Sequence, residues 1–141
     1  MLFRSQVNLE DSLPQRSAIL ERLRPFAEST YLHQTIERRA DGTLQRYRDL
    51  EIALPFLEKT LGQEWRIHFH VPIFISDYSM LGSTQSHITS VLEYLKENPI
   101  CSQLEIETYT WGVLPPSMKT DILLSIMREY EWVLSQLTIN N

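Results

Sequence analysis

Arg66-Ile67-His68-Phe69-His70-Val71-Pro72-Ile73-Phe74 alternates imidazole with apolar side chains. Successive side chains of an extended strand point to opposite faces. The alternation therefore puts His68 and His70 on one face and Ile67, Phe69 and Val71 on the other. Such a strand turns its apolar residues to covering helices and its imidazoles inwards. Pro72 has no N–H to give to a ladder, so pairing is expected to end near His70 and to leave that ring at the strand's carboxyl end. In α/β architecture that end is where ligands bind.

The flanking sequence reads as strand then helix, repeated. Phe3 to Leu9 has the alternation of a short strand. Asp11, Ser12 and Pro14 then start a helix that carries Ile19, Leu20 and Leu23 and stops at Pro25. Thr30 to Glu37 is a second strand, with His33, Thr35 and Glu37 on one face. Asp41-Gly42 marks a tight turn after it. Asp49 is placed to cap a helix with Leu50, Ala53, Leu54, Leu57 and Leu61 on one side, and Gly62 suits its C-terminal end. The double-histidine strand is third. The segment Ser76 to Ser83 reads as a polar connection, and a helix from Thr84 follows, with Ile88, Val91, Leu92 and Leu95 on one side before Asn98-Pro99. Leu104 to Trp111, LEIETYTW, is the fourth strand and holds Glu105 and Glu107 together. After Pro115-Pro116, the residues Leu123, Met127, Tyr130, Leu134 and Leu137 form the apolar face of a last helix.

Four strand-helix units predict an α/β fold: a parallel sheet with right-handed crossovers and covering helices, equal to half of a TIM (β/α)8 barrel, in a single domain over residues 1–141. The chain is long enough to bury its own core. Its composition, 43% hydrophobic and 22% charged, is that of a soluble globular protein, and no apolar run reaches membrane-spanning length. The net charge of −5 and a pI near 5.3 argue against a nucleic-acid backbone binder. Arg38, Arg39, Arg46 and Arg48 bracket a turn and read either as a solvated loop or as a contact for a phosphorylated metabolite. The one cysteine, Cys101, leaves no internal disulfide, in keeping with a reducing cytoplasm; it reads as a small buried residue.

In a parallel sheet the strand ends lie side by side, so His33 and Glu37, His68 and His70, and Glu105 and Glu107 would converge on one rim. Imidazole plus carboxylate is a ligand set for Zn²⁺, Mn²⁺ or Fe²⁺ and equally an acid/base pair, and the sequence does not choose between these uses. In the metal reading His70, Glu107 and His68 are ligands. In the catalytic reading Glu107 and His33 act on substrate, with Glu37 and Trp111 as substrate contacts. The competing structural reading makes His68 a hydrogen-bonded core histidine and Glu105 part of an interior polar layer.

The segments YLHQTIERRADGTLQRY, IHFHVPIF and LEIETYTWGVLP resemble, in order, the carboxyl-terminal part of the metabolite-traffic EboE family, within the xylose-isomerase-like TIM-barrel superfamily of sugar-phosphate isomerases and epimerases. The resemblance spans essentially the whole chain. It implies barrel strands five to eight, a small hydroxylated metabolite as substrate or ligand, and a divalent metal held partly by His70 and Glu107. That half of a barrel contains only part of the superfamily's acid pair, and Thr30 and Thr35 stand where a metal-binding aspartate is expected. An open half-barrel would also expose its edge, so a homo-oligomer or a complementary half-barrel is expected as partner. The two functional expectations are an isomerase-like catalyst and a non-catalytic metabolite- or protein-binding subunit. A metal-dependent nuclease fits the acidic charge poorly.

Overall fold

The computed structural model describes residues 5–9, 13–78, 80–107, 112 and 121–138. Its elements are β1 (Ser5–Asn8), α1 (Arg16–Leu23), β2 (Thr35–Arg39), β3 (Leu44–Tyr47), α2 (Leu50–Ala53), β4 (Gly62–Ile67), β5 (Asp77–Tyr78), β6 (Leu81–Ser83), α3 (Gln85–Glu97) and α4 (Ile122–Thr138). The six strands make one sheet in the order β3-β2-β4-β1-β6-β5, and every neighbouring pair is antiparallel.

This overturns the parallel half-barrel: the architecture is α+β around an open antiparallel sheet. The physical reason lies in β4. Strand-helix alternation does leave β1 and β2 parallel to each other, but they are not neighbours. β4 runs antiparallel between them, with Ile67 opposite both Ser5 and Thr35. Each βαβ crossover thus skips one position: β4 fills the place between β1 and β2, and β2 the place between β3 and β4.

Other boundaries moved for local reasons. The Asp41-Gly42 turn is present, with Gly42 at φ 81°, but it closes a β2-β3 hairpin instead of leading to a helix. There Asp41 Oδ1 accepts the Thr43 N–H at 2.9 Å. The helix expected from Asp49 to Leu61 keeps α-form only over α2, because Pro55 has no N–H to continue the ladder, and a 3₁₀ turn, Leu54–Phe56, follows. The polar connection at Ser76 to Ser83 contains the β5-β6 hairpin. Residues 104–107 carry no strand, and the rest of the expected fourth strand, with Tyr109 and Trp111, lies outside the described residues.

One sheet face carries Val7, Trp65 and Ile67, and Phe69 and Val71 continue it. Against it pack Ile19, Leu23 and Phe26 from α1 and its following turn, and Leu50, Ala53 and Leu57 from the α2 region. Phe26 stacks on Phe69 with ring centroids 4.1 Å apart. Arg16, buried on α1, donates to the carbonyls of Thr60 at 2.6 Å, Leu57 at 3.2 Å and Leu9 at 3.3 Å. A single guanidinium thus satisfies chain ends from both crossovers. The other face carries Arg38, Glu64 and Arg66. Arg38 donates to Glu64 Oε2 at 2.8 and 2.9 Å, and Arg66 donates to Oε1 at 2.5 Å. Burial raises the Glu64 pKa, but these donors outweigh it and hold the carboxyl below its ordinary range.

Candidate functional site

Beyond β4 the chain stays extended through the second histidine. The His68 N–H donates to Gln34 O at 2.9 Å, so pairing with the β2 side continues one residue past the strand. Ile67, Phe69 and Val71 are buried, whereas His68 and His70 turn to the opposite side with ring centroids 5.2 Å apart. The alternation read from the sequence is therefore present, but the imidazoles, expected to point inwards and away from the covering helices, face helices themselves. The helices α3 and α4 meet the histidine side. Gln85 of α3 donates to Ile73 O at 2.8 Å, and Glu129 of α4 accepts the Ile73 N–H at 3.1 Å. Arg128 lies over the Phe74 ring at 5.0 Å.

Between these pieces is a pocket of about 550 Å³. His68, His70 and Ile73 form its floor, and α3 gives Ile88, Val91, Leu92 and Leu95. α4 gives Glu129, Tyr130 and Val133, and residues 104–107 close the remaining side. The volume lies within the range of small-molecule sites, and the composition, apolar walls with a few polar groups brought together, is also theirs. Three carboxylates and two imidazoles line it, with no lysine or arginine among the described lining residues. His70 Nδ1 stands 3.6 Å from Glu107 Oε2, ion-pair reach when the ring is protonated.

The expected site residues divide by sheet face. His68, His70, Glu105 and Glu107 come together at the pocket. His33 and Glu37 lie on the opposite face, the one packed against α1 and the α2 region, because their parity on β2 is that of Thr35. His33 is buried, with Nε2 3.6 Å from Glu28 Oε1 and its ring edge toward Phe69. Burial lowers its pKa, and the nearby Glu28 and Asp49 carboxylates only partly oppose this. Asp49, expected as a helix cap, accepts the His33 N–H at 3.3 Å.

Glu37 is wholly buried. Its Oε2 accepts Thr60 Oγ1 at 2.6 Å, Trp65 Nε1 at 3.0 Å and Tyr47 Oη at 3.5 Å, and Oε1 accepts Arg39 Nε at 3.3 Å. Burial raises its pKa, but the donors from Thr60, Trp65 and Arg39 outweigh it, and the group stays an anion below its ordinary range. It joins three strands to the loop after α2. Gly62, expected at a helix end, opens β4 where a Cβ would stand 2.5 Å from Glu37 Cγ.

Sequence reasoning missed Glu129. It lies on α4 outside the apolar stripe, and no feature of the sequence marked that side of the helix as the one turned to the pocket. Cys101 is exposed rather than buried. Among the described residues no three His, Cys, Asp or Glu side chains are grouped to hold a metal ion. His70 and Glu107 would supply two donors, one fewer than the three protein ligands usual at catalytic zinc. No helix among the described residues is long and apolar enough to cross a membrane.

Comparison with protein-family models, with curated proteins and with solved structures finds no match. The isomerase-like reading of His70 and Glu107 therefore rests on the chemistry of those two residues in this pocket.

Proposed function

We propose that this chain is a small-molecule-binding protein that holds a small hydroxylated metabolite in the pocket between β4's extension, α3 and α4. The observation that carries the reading is the meeting of His68, His70, Glu105 and Glu107 in a pocket of about 550 Å³ whose helical walls are apolar apart from Glu129 and the Tyr130 hydroxyl. Hydroxyl groups can donate to the carboxylates and exchange hydrogen bonds with the imidazoles, while the carbon skeleton packs on Leu92, Leu95, Tyr130 and Val133. A reducing compartment such as the cytoplasm suits the exposed thiol of Cys101.

The test is thermal protection by a panel of polyols, hydroxy acids, aldoses and sugar phosphates, since a ligand selective for the folded state raises its stability. Wild type is expected to be protected by at least one class. His70→Ala and the pocket-filling Val133→Trp are expected to keep their unliganded melting temperature but lose that protection. Protection that survives both substitutions would refute the pocket as the site.

A catalytic reading is favoured by one further observation, the 3.6 Å approach of His70 to Glu107. With an imidazole and a carboxylate side by side, Glu107 can take a proton and His70 can return one, the pair of roles an isomerase needs. Glu107→Gln is then expected to abolish turnover while leaving ligand protection intact. A divalent ion, Zn²⁺, Mn²⁺ or Fe²⁺, would find two donors there. Metal content unchanged by His70→Ala would remove that role.

A further inference from the structure

The sheet ends at β3, and the outer edge of that strand is open. β3 is the first strand in the order β3-β2-β4-β1-β6-β5, and Leu44, Gln45 and Arg46 are exposed. The Arg39 N–H donates to Thr43 O at 3.0 Å, which makes Arg39 and Thr43 a hydrogen-bonded pair. Bonded and unbonded pairs alternate along an antiparallel ladder, so Gln45 and Tyr47 direct their backbone groups to Glu37 and Thr35. Leu44 and Arg46 face Arg38 and Ile36 in the unbonded pairs, and their N–H and C=O groups point away from the sheet. The bond from His68 N–H to Gln34 O fixes the same parity from the other side of β2, since it turns Gln34, Ile36 and Arg38 to β4. The Arg46 carbonyl accepts Gln45 Nε2 at 3.2 Å, a surface side chain that a pairing strand would displace.

This edge is also basic. Leu44 and Arg46 share a sheet face with Ile36 and Arg38 of β2 and with Glu64 and Arg66 of β4, and Arg48 follows just beyond the end of β3. Glu64 is already shared by Arg38 and Arg66. Arg46 and Arg48 are exposed, and neither enters an ion pair among the described residues. They stand free in a chain whose net charge is −5. On the opposite face Tyr47 stacks on Phe56 with ring centroids 5.8 Å apart, and Phe56 is half exposed.

We propose that the β3 edge takes up an extended acidic peptide of another protein as an added strand. Its acidic side chains, at alternate positions, lie against Arg46 and Arg48, and the intervening apolar ones fall on the side of Tyr47 and Phe56. This goes beyond the small-molecule reading and does not depend on the pocket. Two features select the occupant. The outward groups of Leu44 and Arg46 include donors and acceptors, which a peptide backbone matches and a phosphodiester, with acceptors only, does not. The sign of the charge does the rest: a residue paired with Arg46 has its Cα about 5.5 Å away on the same face, within reach of an ion pair. A second copy fits neither way. Its β3 would bring more arginines to the same edge, and like charges directly opposite destabilise a pair. Its β5 spans two residues, where the outward groups of Leu44 and Arg46 span three. The half-barrel edge expected to seek a partner is absent; the open edges of this sheet are β3 and β5.

The probe is a short capped peptide alternating glutamate and valine, added to the full chain. Amide hydrogen exchange read by NMR is expected to slow at Leu44 and Arg46 and to stay unchanged at Gln45 and Tyr47, which already bond to β2. Arg46→Glu turns an attraction into a repulsion at an exposed site, and is expected to weaken binding about 5-fold or more at an unchanged melting temperature. The same variant is expected to bind the peptide with lysine in place of glutamate, which wild type rejects, and Arg46→Gln is expected to fall between. Methylating alternate backbone nitrogens of the probe keeps its charge, removes its edge donors and is expected to abolish the protection. Three results would overturn the proposal: exchange at Leu44 and Arg46 indifferent to the acidic peptide, equal binding of the methylated peptide or of oligothymidylate, which would reduce the face to a general anion patch, or equal binding of the lysine peptide to wild type.

Discussion

Gly62→Ala tests the buried carboxylate most sharply. Gly62 does not use the left-handed backbone region, so alanine is allowed there by conformation, and any cost must come from what its Cβ meets. That atom would stand 2.5 Å from Glu37 Cγ and 2.7 Å from Cδ, against an ordinary contact of 3.4–4 Å. Glu37 must therefore retreat by about 1 Å, more than its 2.6 Å bond from Thr60 and 3.0 Å bond from Trp65 can both follow. Hydrogen bonds to a charged group contribute about 1.5–3 kcal/mol each, and the alanine recovers about 0.4–1 kcal/mol by restricting the unfolded chain. With one of the two bonds lost, the net loss is about 0.5–2.5 kcal/mol, or a fall in melting temperature of about 2–10 °C for a domain of this size. Urea denaturation followed by circular dichroism measures it. The decisive comparison is the double-mutant cycle with Glu37→Ala: once the side chain is gone, Gly62→Ala is expected to cost less than about 0.5 kcal/mol. Equal costs in the two backgrounds would show that the carboxylate is not what excludes a Cβ.

Arg16→Leu is expected to destabilise by about 2–4 kcal/mol in the same assay, because three carbonyls lose their donor at a buried position. A change below about 0.5 kcal/mol would mean that those carbonyls are otherwise satisfied. Stability should fall with acidification in two windows. His33 is held neutral by burial, so between its unfolded value near 6.5 and its lower folded value the unfolded chain binds the extra proton and stability drops as pH falls; His33→Asn should flatten urea midpoints in that window. Glu37 keeps its contribution above its unfolded value near 4.5 and loses it as pH falls through the lower folded value, so Glu37→Gln should remove the steepest part of acid unfolding.

Much of the local structure was legible. The period-two pattern at residues 67–71 put the histidines on one side, and Asp41-Gly42 marked its turn. The helical spans of α3 and α4 followed from their periodicity. The strand direction was not legible, because a strand-helix alternation fixes only that consecutive strands are parallel and leaves open which strand lies between them. The β5-β6 hairpin, with strands of two and three residues, is too short to show alternation. Glu37 shows the limit at the site: a carboxylate on the same strand face as His33 reads as a functional rim residue until the sheet's covered side is known. α4 shows a second limit, since periodicity identifies an apolar stripe but not which side of the helix the rest of the chain buries.

The enclosed acid of β2 also constrains how the sheet can thread. A one-residue slip of β2 against β4 would carry Glu37 to the solvent-facing surface and push Ile36 and Arg38 into the space beside Trp65. A stranded guanidinium there would lack its acceptor. The native alignment is thereby separated from its nearest misaligned competitors by the cost of a buried, uncompensated charge.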